Sequence, residues 1–187
     1  MTHADGIPRL RAEELDPALR DLLKPTIDRL GYLGEFFAVA GHVPGAVPAF
    51  MQYTGAVKAP LSNRQNEMLA LAVCAALGAD YERIQHERLS RRLEMSDAWI
   101  AAAEGREGAV AATLADDESL LRTLALAMLA RNGNGCAAEI EAVAKAIGPP
   151  KAVAALLQIT RFVTIAMLCN ALQLTPPVPS IWDDPPR

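Results

Sequence analysis

Runs of positive charge are missing from this chain. No stretch of lysine and arginine is longer than the Arg91-Arg92 pair, and the formal net charge is −4. The electrostatic footprint that a phosphate backbone requires is therefore absent, and nucleic acid is not an expected partner. Cysteine is scarce as well. Cys74, Cys136 and Cys169 are odd in number and widely spaced, with no CxxC or zinc-like arrangement, so neither a disulfide framework nor a structural zinc site is expected. Aromatic residues make up 5% of the sequence and β-branched residues are few, which disfavours strands. Alanine and leucine dominate the long segments instead, and both are strong helix formers. At 187 residues the chain can bury a real core as one domain over 1–187, and the expected fold class is all-α.

The opening MTHADGIPRLRAEELD has no basic stretch followed by an apolar one, so it does not read as a secretory signal, and the expected location is cytoplasmic. The least polar stretch, Ala152 to Leu174, is long enough to cross a bilayer, but Gln158, Thr160, Arg161, Thr164, Asn170 and Gln173 interrupt it. It reads as a buried helix, and no membrane partner is expected.

Apolar spacing predicts a first helix from about Pro17 to Leu30, kinked by Pro25, and a second starting at Pro44 and ending before Pro60. Ser62 with Gln65 three residues on forms a capping-box signal. The positions from Met68 to Leu77 are then all apolar, so this helix must be buried on every side. Gly78 stops it and Asp80 caps the next, from Tyr81 to about Leu93, giving a tight hairpin over about 63–93. Ser96 caps a short helix, and Asp116 or Asp117 caps a longer one. Two more helices are expected at about 137–147 and 150–174, the latter packing on 63–78 at the centre. The tail over 175–187 is too rich in proline to be α-helical.

Glu67 stands one turn into the all-apolar helix, at the edge of the core, where its carboxylate needs a partner and where burial pushes a carboxyl pKa upward. On the following helix, at ~100° per residue, Glu82, His86, Leu89 and Leu93 share a stripe roughly 60° wide. Arg83, Glu87 and Arg91 fall elsewhere, as solvated charges. If the hairpin closes on that stripe, Glu67 meets His86. An imidazole between carboxylates in a partly apolar pocket can act as general base and then general acid near neutral pH. The same pair can equally be a buried hydrogen bond that only fixes the hairpin. Glu67, Glu82 and His86 also resemble a two-carboxylate, one-histidine metal set. However, the spacing is Glu-x-x-x-His rather than the Glu-x-x-His of di-iron bundles, and no second histidine is near, so no metal or cofactor is expected. Cys74 lies mid-helix, where burial suppresses thiol reactivity. Cys136 follows a Gly-Asn-Gly loop, an exposed setting with nothing nearby to activate it.

The stretch LSNRQNEMLALAVCAALGADYERIQHERLSRRLEMSDAWI, residues 61–100, resembles the signature of the carboxymuconolactone decarboxylase and alkyl hydroperoxidase D (AhpD)-like superfamily. A glutamate on a buried helix is followed by Tyr-Glu and by a histidine four positions after that second glutamate. His42-Val43-Pro44 and the closing helix extend the likeness over most of 35–175. The resemblance implies an AhpD-like helical bundle and a homo-oligomer, whether dimer, trimer or hexamer. In the peroxidase branch a CxxC pair opens the second helix of the hairpin, but here those places hold Ala79 and Glu82. A dithiol peroxidase cycle has no sulfur to run on there. Keeping the acid–base pair without the cysteines resembles the decarboxylase-like branch. That branch implies proton transfer on a small carboxylated or lactone-type substrate, with Glu67, Glu82 and His86 catalytic. Tyr81, Arg64 and Arg161 are candidate substrate-binding residues, Arg161 the stronger cation because a buried arginine needs an anionic partner. The alternatives are a peroxiredoxin-type antioxidant activity and a non-catalytic helical oligomer that binds a ligand or partner.

Overall fold

The structure, a computed structural model, describes residues 5–109 and 113–183. Among them are nine α-helices and no strand: α1 (Pro17–Leu30), α2 (Glu35–Ala40), α3 (Ala46–Lys58), α4 (Asn63–Ala76), α5 (Asp80–Arg92), α6 (Asp97–Glu104), α7 (Asp116–Arg131), α8 (Ala137–Ile147) and α9 (Pro149–Ala171). The fold is all-α, as composition implied.

Local chemistry sets the helix ends. Asp16 accepts from the N–H groups of Ala18 and Leu19, Pro17 opens α1, and Gly31 at φ +81 closes it. Pro25 lies inside α1 without ending it. The α4 capping box forms as expected: Gln65 N–H donates to Ser62 Oγ at 3.2 Å, and Ser62 N–H donates to the Gln65 side chain at 3.0 Å. Two capping expectations need correction. Asp80 is the first residue of α5, not its cap, and it pairs with Arg83 three residues on. Neither Asp116 nor Asp117 caps α7. Glu118 reaches back to accept from Ala115 N–H at 2.9 Å, while Asp117 accepts from Gln65 of α4. The short α2, between Gly34 and Gly41, was not expected at all.

α4 is the axis of the bundle, with α5, α6, α7 and α9 packed around it. Its burial runs from Gln65 to Cys74, one turn earlier than the apolar run, because Ala75 and Ala76 emerge toward the Gly78 turn. Met68, Leu69 and Leu71 are 0% exposed, and each contributes roughly 2 kcal/mol of hydrophobic stabilisation. α9 is the one described helix long and apolar enough to cross a membrane by length and composition. Here it packs against α4, α3, α5 and α8. A smaller apolar cluster of Leu15, Leu19, Leu23 and Val47 joins α1 to α3 beside the main core.

The segment after α9 returns along α5. Arg88 Nε donates to the Pro179 carbonyl at 2.7 Å, and residues Ile181–Asp183 form a 3-10 turn. As far as Asp183, the last described residue, the proline-rich tail is not α-helical, but it is held.

Candidate active site

The α4–α5 hairpin closes on the face that carries His86. Its Nδ1 is 2.7 Å from Glu67 Oε2, and its Nε2 is 3.8 Å from Glu82 Oε2. The imidazole therefore stands between two carboxylates, one hydrogen-bonded and one just beyond hydrogen-bond reach. Ser90, one turn on, donates to the same Glu67 oxygen at 3.4 Å. Glu67 is 2% exposed, and a carboxylate so deep is costly unless a cation or donors face it, which His86 and Ser90 do. Phe162 of α9 meets the ring edge-on, 5.2 Å between centroids.

Protonation follows from these contacts. Burial pulls the His86 pKa down, but the charge and hydrogen bond of Glu67, with Glu82 adding to them, outweigh it, so the net shift is upward. Burial raises the Glu82 carboxyl, with His86 and Arg161 pulling part of the way back. Both neighbours are thus raised, so the imidazole favours its charged form and the Glu82 carboxyl holds its proton more tightly than an exposed glutamate does.

Beside them opens a cavity of about 390 Å³ whose wall includes Tyr81, Glu82 and Arg161. The rest of its lining is mostly apolar and aromatic, contributed by α2, α3 and α9. His86 is not part of that wall. Glu82 stands between the cavity and the imidazole, lining the one and lying 3.8 Å from the other.

Arg161 is 7% exposed. Its Nε donates to Gln158 Oε1 at 3.0 Å; Gln158 Nε2 donates to Asn66 Oδ1 at 2.9 Å; and Asn66 Nδ2 is within 3.3 Å of the carbonyls of Lys58, Leu61 and Ser62. Its guanidinium stacks 3.9 Å from the centre of the Phe162 ring and 5.8 Å from that of Phe50. This chain of amides ties the cation to the start of α4. Burial lowers the Arg161 pKa, and Glu82 offsets part of that. Among the described residues no carboxylate lies within 4.0 Å of it, so neither Glu67 nor Glu82 is its ion-pair partner.

Arg64, the other expected cation, is not brought to the cavity. It forms a bidentate pair with Glu118 of α7, at 2.6 and 3.1 Å, and stacks 4.8 Å from the Trp99 ring centre. Tyr81 does line the cavity, and its hydroxyl accepts from Phe36 N–H at 3.2 Å. Asn66 and Gln158 were not expected at the site. Gln158 was visible as a polar residue in an otherwise apolar stretch, whereas Asn66 lies in the polar run 63–67 and carried no separate signal.

The expectation that Glu87 is a solvated charge is overturned. It is 0% exposed, paired with Arg83, and accepts from Ser180 Oγ at 2.6 Å and Ile181 N–H at 3.0 Å. The returning tail covers that face of α5, and periodicity within α5 carried no sign of it. Cys136, expected to be exposed, is buried at 3%; Cys74 and Cys169 are buried too. Desolvation pushes the Cys74 thiol well above its ordinary value and that of Cys169 to about 12.

A helical bundle with a buried glutamate–histidine pair across a central hairpin defines the class. The profile of the carboxymuconolactone decarboxylase family matches residues 43–127, a span that holds Glu67, Glu82 and His86 but not Arg161. No curated protein matches the chain. Among solved structures, an AhpD-core, peroxidase-related protein from Ralstonia eutropha JMP134 superposes with a TM-score of 0.78 at 18% identity, covering 90% of each chain. A protein of unknown function from Agrobacterium tumefaciens, described as a putative antioxidant defence protein AhpD, superposes at 0.63 with 19% identity, covering 75% of this chain and 96% of the other. Over residues 43–127 the chain is thus similar to the carboxymuconolactone decarboxylase family, and its fold is that of the AhpD-like structures.

Proposed function

We propose that this protein is an acid–base enzyme of the decarboxylase-like kind, moving a proton to or from carbon on a small carboxylated or lactone-type substrate. The observation that carries the reading is the line Glu67–His86–Glu82, which ends at a cavity wall beside an arginine without a carboxylate partner. Glu82 is the group that meets the substrate. Its raised pKa suits it to take a proton from a carbon next to a carbonyl and to return it. His86 is a positioning residue that stabilises the ionised Glu82, and Glu67 fixes the ring's orientation and charge. The chemistry is lyase- or isomerase-like and uses no cofactor.

The names of the structural relatives favour hydroperoxide reduction as a second reading. Against it stand the replacement of the CxxC places by Ala79 and Glu82 and the burial of all three thiols, whose thiolates are the species that would attack a peroxide. In heavy water, with small unsaturated lactone acids and enolisable carboxylates, carbon-bound hydrogen should exchange. Exchange should be lost in Glu82→Gln and fall by roughly 100-fold in His86→Ala. Thiol-dependent hydroperoxide reduction abolished by Cys74→Ser, with no exchange in any acid, would replace this reading with the second.

A further inference from the structure

The cavity also specifies the shape and charge of its occupant. Arg161 is more than nine-tenths buried, lines the cavity, and spends only Nε on the protein. A planar guanidinium clamped between the Phe162 and Phe50 rings, with its terminal amino groups unpaired among the described residues, is a prearranged fork for one carboxylate. Tyr81 adds a second donor. Its oxygen accepts from Phe36, and its own proton has no acceptor among the described residues. Among the described residues no other cation lines the cavity. A second carboxylate on the ligand would be buried unpaired, facing Glu82, and would pay the full cost of desolvation.

The body of the ligand meets rings. Phe36 packs edge-to-face on Phe37, 5.3 Å between centroids, and tilts against Phe50 at 5.9 Å. These three, with Tyr32, Met51 and Ile165, make a wall of mostly flat apolar faces, and the polar side chains of Thr54 and Gln85 in the lining already donate to the backbone carbonyls of Phe50 and Tyr81. About 390 Å³ admits a single-ring compound with a short side chain.

We propose that the cavity takes an aromatic or similarly flat, unsaturated monocarboxylate, its carboxylate on Arg161 and Tyr81 and its ring among Phe36, Phe37 and Phe50. This names the substrate class of the proton-transfer reading and rests on it for the identification of the cavity as a substrate site. Glu82 then faces the atoms next to the carboxylate.

Calorimetric titration of the unmodified protein with benzoate, phenylacetate, benzamide, cyclohexanecarboxylate and terephthalate tests the proposal without any variant. Benzoate or phenylacetate should bind saturably. Benzamide and terephthalate should bind at least tenfold more weakly, and cyclohexanecarboxylate several-fold more weakly. Arg161→Gln, checked by its helical circular dichroism, should lose at least tenfold in affinity for the aryl acids and nothing for benzamide. No saturable binding of either aryl acid, equal affinity for benzamide, tighter binding of terephthalate, or an Arg161→Gln protein that binds aryl acids undiminished would each overturn it. Aryl acids that bind as expected while no bound acid exchanges hydrogen would sink the proton-transfer reading and leave the ligand assignment standing.

Discussion

A half-buried histidine beside a buried glutamate stores a pH dependence that can be read without knowing the substrate. The His86 pKa is raised in the folded protein by Glu67, against the pull of burial. A raised value means that the folded state holds the proton more tightly than the unfolded chain does. The stabilisation from the charged pair is therefore complete below about pH 6.5, the unfolded value, and is lost as pH rises through the folded one. His86→Gln keeps a donor for Glu67 but removes the charge. Its deficit in unfolding free energy should be about 1–2 kcal/mol at pH 6, the worth of a charge-assisted over a neutral hydrogen bond. It should shrink by pH 9. Urea titrations at the two values decide it, and a gap that does not change with pH would mean that folding leaves the imidazole's pKa where it is in the unfolded chain.

At the scale of elements, the returning tail joins α5 and α6 through a second pair of buried acids. Glu104 is raised to about 7, by burial first and then by its hydrogen bond to Glu87 and the charge of that neighbour, against Arg83 and Arg106. Trp182 Nε1 donates to Glu104 at 3.0 Å while Arg106 stacks 4.5 Å from the centre of its ring. Stability stored in the shared proton is present below about pH 4.5 and is lost as pH rises through about 7, a ceiling of roughly 3 kcal/mol. Glu104→Gln keeps both an acceptor for the indole and a donor for Glu87. It should melt above the wild type at pH 8.5 and within a degree or two of it at pH 5; thermal scans showing the reverse order would contradict this account. The hairpin around Glu67 and His86 was legible in the sequence because every determinant is local: a capping box, an apolar run, a glycine stop and a four-residue step. Glu87 was not, because its partners, Ser180 and Ile181, lie far along the chain and helical period alone assigned it to water. The six-residue α2 escaped for a related reason. It is too short to show a period, and Phe36 and Phe37 gain their meaning only from the cavity they wall.

For the whole molecule, the unsettled face is the outward one of α9. Val153, Leu157, Thr160, Thr164, Met167 and Ala171 are all exposed, and their alternating steps of four and three trace the straight seam along which two helices pack. The two threonines do not make it polar, since their hydroxyls bond back to carbonyls of their own helix at 2.9–3.2 Å. No charge interrupts the line: from Ala152 to Ala171 the sole ionised side chain is Arg161, which turns inward to the cavity. Met167 is left 63% exposed and Val153 53%. We propose that an uncharged stripe of this length, on a chain otherwise rich in surface ion pairs, is an interface; its regular spacing suits a partner with the same spacing, another copy of this chain about a twofold axis. We expect light scattering at micromolar concentration to give a multiple of the 20.0 kDa chain mass. Leu157→Glu with Met167→Glu should shift the species toward the monomer without loss of helix, since both side chains point away from the core. The assembly would matter to the site, because α9 carries Arg161, Phe162 and Ile165 on its inner face and the seam on its outer one. If the double variant dissociates, its affinity for aryl carboxylates measures how far the second copy holds α9 in place. A wild-type protein that is monomeric at that concentration would instead leave the stripe without a self-partner.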